Sequence, residues 1–201
     1  MRINDKASYS AHDYMAKRHF SSTKFLLIQI LLIACILFSA LCMVLAADAD
    51  LEDKVKAAYV YNFTKFVHWE KKEGDSTKVP IRICVLGTDS IGDLLEELSN
   101  RQVEGRPLQV ERNTSNISDI PHCNVLFISR SEEQQLPLIM QQLIGSNVLT
   151  TSDIPRFSKR GGMIGFVTEG GRIKIEINLT AAQRAGLKIS SKLLEVARII
   201  Q

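Results

Sequence analysis

From Phe25 to Ala47 the chain reads FLLIQILLIACILFSALCMVLAA, 23 residues without a charge. Such a run cannot belong to the surface of a water-soluble domain, so it divides the chain. Basic residues precede it and Asp48-Ala-Asp50 follows it, the order that keeps the amino terminus in the cytoplasm and sends the remainder across the membrane. The expected organisation is a cytoplasmic basic segment with a signal peptide or signal anchor over residues 1–49, then one exported domain over 50–201. Ala47-Asp48-Ala49 fits the small-x-small rule for signal cleavage. The run is also long enough to span a bilayer about 30 Å thick. Cleavage is favoured over a retained membrane anchor, and both place residues 50–201 outside the cytoplasm.

Charge follows the same division. The whole chain holds 25 basic and 22 acidic residues, a net of +3. Five of the basic residues and two of the acidic ones lie in residues 1–46, which leaves 20 against 20 for the rest. Nucleic-acid binding is thereby excluded as an expectation, because phosphate contacts need an unbalanced basic surface.

Cys35 and Cys42 sit inside the apolar run, so the exported part holds Cys84 and Cys123. An even number in an oxidising space is read as a disulfide, the alternative being two separate buried thiols.

The exported part alternates strand and helix signals. Leu51, Val55, Ala58, Tyr59, Phe63 and Phe66 show the spacing of an amphipathic helix over Leu51–Trp69, with Lys56 among its surface charges. Ile81–Leu86 is a short β-branched strand, followed by a turn at Gly87–Ser90 and a helix that Asp89 or Ser90 can cap. Further strands are expected near Leu108–Glu111, Cys123–Ser129 and Asn147–Thr150, with a helix over Glu132–Ile144. Met163–Val167 and Arg172–Asn178 flank Thr168-Glu-Gly-Gly171, a hairpin signal. Leu179–Ala185 and Ser190–Ile200 read as closing helices. The expected fold is α/β, a three-layer sandwich whose mixed, mostly parallel sheet carries a late antiparallel hairpin and helices on both faces.

Three stretches in order carry a family resemblance: Val55-Lys-Ala-Ala-Tyr-Val-Tyr-Asn-Phe-Thr-Lys-Phe-Val-His-Trp69, Ile81-Arg-Ile-Cys-Val-Leu-Gly87, and a third from Gly161-Gly-Met-Ile-Gly-Phe166 through Ile175-Glu-Ile-Asn178 to Ala185–Leu194. The sequence resembles the YfiR family of periplasmic proteins, which repress a membrane-bound diguanylate cyclase. The resemblance implies a regulator that lowers cyclic di-GMP and biofilm formation. Its implied partners are the periplasmic part of an inner-membrane cyclase, a second copy of itself and an outer-membrane lipoprotein that relieves repression. Two departures matter. Gly165 stands where family members often have Asn, and Ser158–Gly165 contains no cysteine where some carry a second pair. Redox behaviour resting on a second bridge is not carried over.

No catalytic, metal or cofactor set is recognised. Gly87-Thr-Asp-Ser-Ile-Gly92 lacks the Lys-Ser/Thr of a P-loop and the GxGxxG of a dinucleotide fold, and Asp89 would repel phosphate. It reads as a plain strand-to-helix turn. His122 beside Cys123 has no metal-ligand spacing around it, and no GxSxG elbow is present. The expectation is a non-enzyme without cofactors. A small-solute-binding protein that uses the strand ends remains the alternative function. For a partner surface, the residues chosen are Arg172, Lys174 and Glu176, which alternate with Ile173, Ile175 and Ile177. The competing reading of those charges is the solvated side of an edge strand.

Overall fold

The computed structural model describes residues 28–38, 50–69, 79–99, 101–112, 120 and 122–200. The apolar run contributes a helix over 28–38, and among the described residues no helix is long and apolar enough to cross a membrane. The cleavage motif Ala47-Asp48-Ala49 lies outside the described residues. The chain divides into two units, Met1–Asp50 and Leu51–Gln201, and the second carries the α/β fold.

Helix α1 (50–66) leads into β1 (Val67–Trp69). Its buried face is Lys56, Ala57, Val60, Phe63 and Thr64, continued by Val67 in β1, whereas Leu51 is 61% exposed. The expected apolar stripe is therefore rotated, and the expected helix stops three residues early. Val67, His68 and Trp69 pair antiparallel with β9 (Leu187–Ile189), and that pairing takes the segment out of helix.

The main sheet is assembled from β2 (Ile81–Leu86), β3 (Gln102–Val103), β4 (Arg106–Glu111), β5 (Val125–Ile128), β6 (Leu149–Ser152), β7 (Ile164–Glu169), β8 (Arg172–Asn178) and β10 (Arg198–Ile200). Their spatial order is β10-β8-β7-β6-β5-β2-β4-β3. The β4/β2/β5/β6/β7 pairings and the β8/β10 pairing are parallel; β7/β8 and β3/β4 are antiparallel. At the β7–β8 turn Glu169 faces Arg172, and Gly170 and Gly171 take φ +58° and +71°. Two consecutive positive φ values are what a two-residue turn needs to match the strand twist.

Helices α2 (Ile91–Glu96), α4 (Leu179–Arg184) and α5 (Ser191–Leu194) join α1 on one face, over Ile83, Val85, Phe127, Ile164, Phe166, Ile175 and Ile177. Helix α3 (Leu136–Gln142) packs Leu136 and Ile139 on the other, over Cys84, Leu126 and Ile128. The fold is thus the expected three-layer α/β sandwich.

Two further helical expectations change. Glu132–Ile144 is a 3-10 turn over Arg130–Gln135 followed by α3, with Pro137 in the first turn of α3, where its missing N–H costs nothing. Ser190–Ile200 is helical over Ser191–Leu194 alone, after which Arg198, Ile199 and Ile200 pair with Glu176, Ile177 and Asn178. The β-branched pair suits the sheet edge better than a helix end.

Candidate functional site

A disulfide joins Cys84 in β2 to Cys123 ahead of β5, with the Cα atoms 5.9 Å apart. Both cysteines belong to the core beneath α3, so the bridge fastens the loop entering β5 to the middle of the sheet.

The chain leaves β2 towards β4 on one side, then crosses to β5 on the other, which makes the β2/β5 carboxy-terminal ends the topological switch point. In this protein the crevice is filled. Gly87 has φ +89°, and a side chain there would run into Ser131 and Glu132. Thr88 N donates to Ser131 Oγ at 3.2 Å, and Ser129 Oγ donates to the Thr88 carbonyl at 2.8 Å. Asp89 Oδ1 accepts from Ile91 N at 3.0 Å, which opens α2. These bonds make Gly87–Ser90 a structural turn, as read from the sequence.

One strand further along, a charged cluster covers the end of β6. Lys56, only 5% exposed at its side chain, contacts Asp153 Oδ2 at 2.7 Å, Glu52 at 2.9 Å and Asp53 at 3.6 Å. Burial opposes its charge, but the hydrogen bonds to Asp153 and Glu52 outweigh that and hold the ammonium above its ordinary value. Arg130 donates to the Asp153 carbonyl at 2.9 Å. Beside this cluster is a cavity of about 370 Å³ whose lining includes Lys56, Arg130, Asp153, Arg156, Lys159 and Phe166. Treating Lys56 as a surface charge was wrong, because it shares the face of Val60, Phe63 and Val67. The signal was available, since positions 56, 60, 63 and 67 follow helical spacing.

The charges chosen as a partner surface do not act as one set. Arg172 and Lys174 are exposed, but Glu176 is 7% exposed. Glu176 does lie on the face opposite the isoleucines, yet that face is roofed there by the 3-10 turn Phe157–Arg160. Ser158 Oγ donates to Glu176 Oε2 at 2.8 Å, and Arg198 contacts Oε1 at 3.2 Å. At Glu176–Asn178, moreover, β8 is not an edge, because β10 pairs with it there. Lys174 and Arg198 both hold Glu169, at 2.9 and 2.8 Å. The Lys174 hydrogen bond, then that of Arg198, keeps the Glu169 carboxyl below its ordinary range. Arg198 lay in a segment read as helix, so this network was not visible in the sequence.

At the opposite ends of the strands, an open groove of about 900 Å³ runs between α3 and α4, lined by Met140, Leu143, Ile144, Ala181 and Arg184 among others. Among the described residues, no group of three or more His, Cys, Asp or Glu side chains is arranged to hold a metal ion.

Comparison with known proteins adds one strong match. A family model described as YfiR/HmsC-like matches residues 53–198. No curated protein matches. Among solved structures, the ABC domain in complex with L-Trp from Streptococcus pneumoniae is similar at 14% identity and a TM-score of 0.44, covering 60% of this chain and 56% of that one. A conserved domain protein from Vibrio cholerae is similar at 13% identity and 0.46, covering 60% and 54%. This chain spans little more than half of either, and likeness at that level carries no functional argument.

Proposed function

The chain belongs to the YfiR/HmsC-like family, and from that premise we propose that it is a periplasmic regulator which binds a membrane-bound diguanylate cyclase and represses it. The family match over residues 53–198 carries this reading. A buried disulfide suits an exported domain. Repression works by tighter binding to the inactive form of the cyclase's periplasmic part, which shifts its population. A hundredfold repression needs about 2.7 kcal/mol of differential binding. The protein acts as a homodimer, and an outer-membrane lipoprotein relieves the repression. The expected result is lower cyclic di-GMP and less biofilm.

Of the three charges chosen from the sequence, Arg172 and Lys174 stay as candidate partner contacts, being exposed on β8. The deciding experiment is deletion of the gene in a strain that expresses the partner cyclase, followed by measurement of cellular cyclic di-GMP. A rise supports repression; an unchanged level rejects it.

A further inference from the structure

The cavity beside Lys56 holds two cations that the protein itself does not neutralise. Lys56 is satisfied by Glu52, Asp53 and Asp153, and Arg130 by Asp153. Glu176, which also lines the cavity, is satisfied by Ser158 and Arg198. Arg156 and Lys159 line the same cavity, are exposed, and their side chains have no hydrogen-bond or ion-pair partner among the described residues. Arg156 opens the 3-10 turn Phe157–Arg160 and Lys159 lies within it, with Lys159 N donating to the Arg156 carbonyl at 2.9 Å. Both side chains line the one cavity, which is what places the two cations at a common site. Arg156 reaches its place through a left-handed backbone, φ +58°, a conformation that the surroundings must impose on a non-glycine residue.

Beside these cations the cavity wall is apolar, formed by Phe166, Val167 and Pro155. Its volume of about 370 Å³ is at the small end of the range for small-molecule sites. The charged lining comprises four cations (Lys56, Arg130, Arg156, Lys159) and three carboxylates (Glu52, Asp153, Glu176), a net of +1. One negative charge balances it, and a second would face the carboxylates.

We propose that this cavity is a binding site for a small organic monocarboxylate, with the carboxylate between Arg156 and Lys159 and its apolar body against Phe166. The site is separate from the filled switch-point crevice, and it stands whether or not the chain represses a cyclase.

The test uses 3-phenylpropionate as probe, titrated by isothermal calorimetry into the purified exported domain with its disulfide intact. Saturable binding is expected, with 2-phenylethanol and inorganic phosphate each at least about tenfold weaker, since one lacks the charge and the other the apolar body. The variant R156G removes a cation while placing the residue best suited to φ +58°, and K159Q changes an exposed position. Each is expected to weaken 3-phenylpropionate about tenfold or more with the thermal midpoint held, while R156K and K159R retain binding. Absence of binding up to about 10 mM, equal binding of phenylethanol, or equal affinity in K159Q and the parent would each overturn the proposal.

Discussion

Lys56 Nζ lies 2.7 Å from Asp153 Oδ2, across 97 positions of sequence, and ties the first helix to the residue that follows β6. The contact sits where helix, sheet and cavity meet. Removing the cation leaves Glu52, Asp53 and Asp153 facing one another. Lys56→Met is expected to lower unfolding stability by about 3–5 kcal/mol, the usual result of breaking a buried pair from one side, measured by urea titration. A loss below about 1 kcal/mol would make the pair no stronger than an exposed one.

The same lysine sets an alkaline limit. Its folded pKa is raised above the ordinary 10.5, so its contribution is complete below 10.5 and disappears as pH climbs through the higher folded value. Stability of the parent should fall in that window, and Lys56→Met should lack that part of the slope. Parallel slopes in the two proteins would refute the linkage.

The disulfide spans 39 positions, and closing such a loop is worth roughly 4 kcal/mol in the chain-entropy model. Cys84→Ser should unfold at correspondingly lower denaturant. Reductant should bring the parent to the same midpoint while leaving the variant unmoved. If reductant leaves the parent's midpoint unchanged, the bridge does not stabilise the domain.

At the other end of the pH scale, Glu169 has its pKa lowered from 4.5 by Lys174 and Arg198. Its contribution is present above 4.5 and is lost as pH falls through the lower folded value. Because Glu169 anchors Arg198, the amides of Arg198–Ile200 should exchange faster with solvent over that acid range. Glu169→Gln should show the faster exchange already at neutral pH. Equal protection of the last strand in parent and variant would remove Glu169 from that role.

The hairpin supplies a backbone test. Gly170→Asn should be nearly neutral, since Asn-Gly suits this turn. Gly171→Val, at φ +71°, should cost about 1–2 kcal/mol through the clash of its side chain in a left-handed conformation. Thermal denaturation separates the two outcomes.

Legibility in the sequence followed how local each signal was. Ile81–Leu86 and the Gly170-Gly171 hairpin were readable because β-branching and turn chemistry act within a few residues. The two cysteines were readable because they were the pair left in the exported part. The buried side of α1 was misplaced because apolar residues occupy both stripes, and the one that faces the core includes a lysine whose partner Asp153 is remote. Glu176 looked exposed by alternation, yet the 3-10 turn that covers it is set by tertiary packing. Likewise, Arg198–Ile200 became a strand only because β8 offered it a free edge.

That last pairing bears on how the protein fails. Strand β10 ends the sheet on its side, and β8 lies directly inside it. A polypeptide clipped ahead of Arg198 would bare the β8 backbone at Glu176–Asn178, and an open, apolar-backed edge is a template for pairing with another molecule. Proteolytic trimming here would therefore lead towards aggregation rather than a shorter working domain.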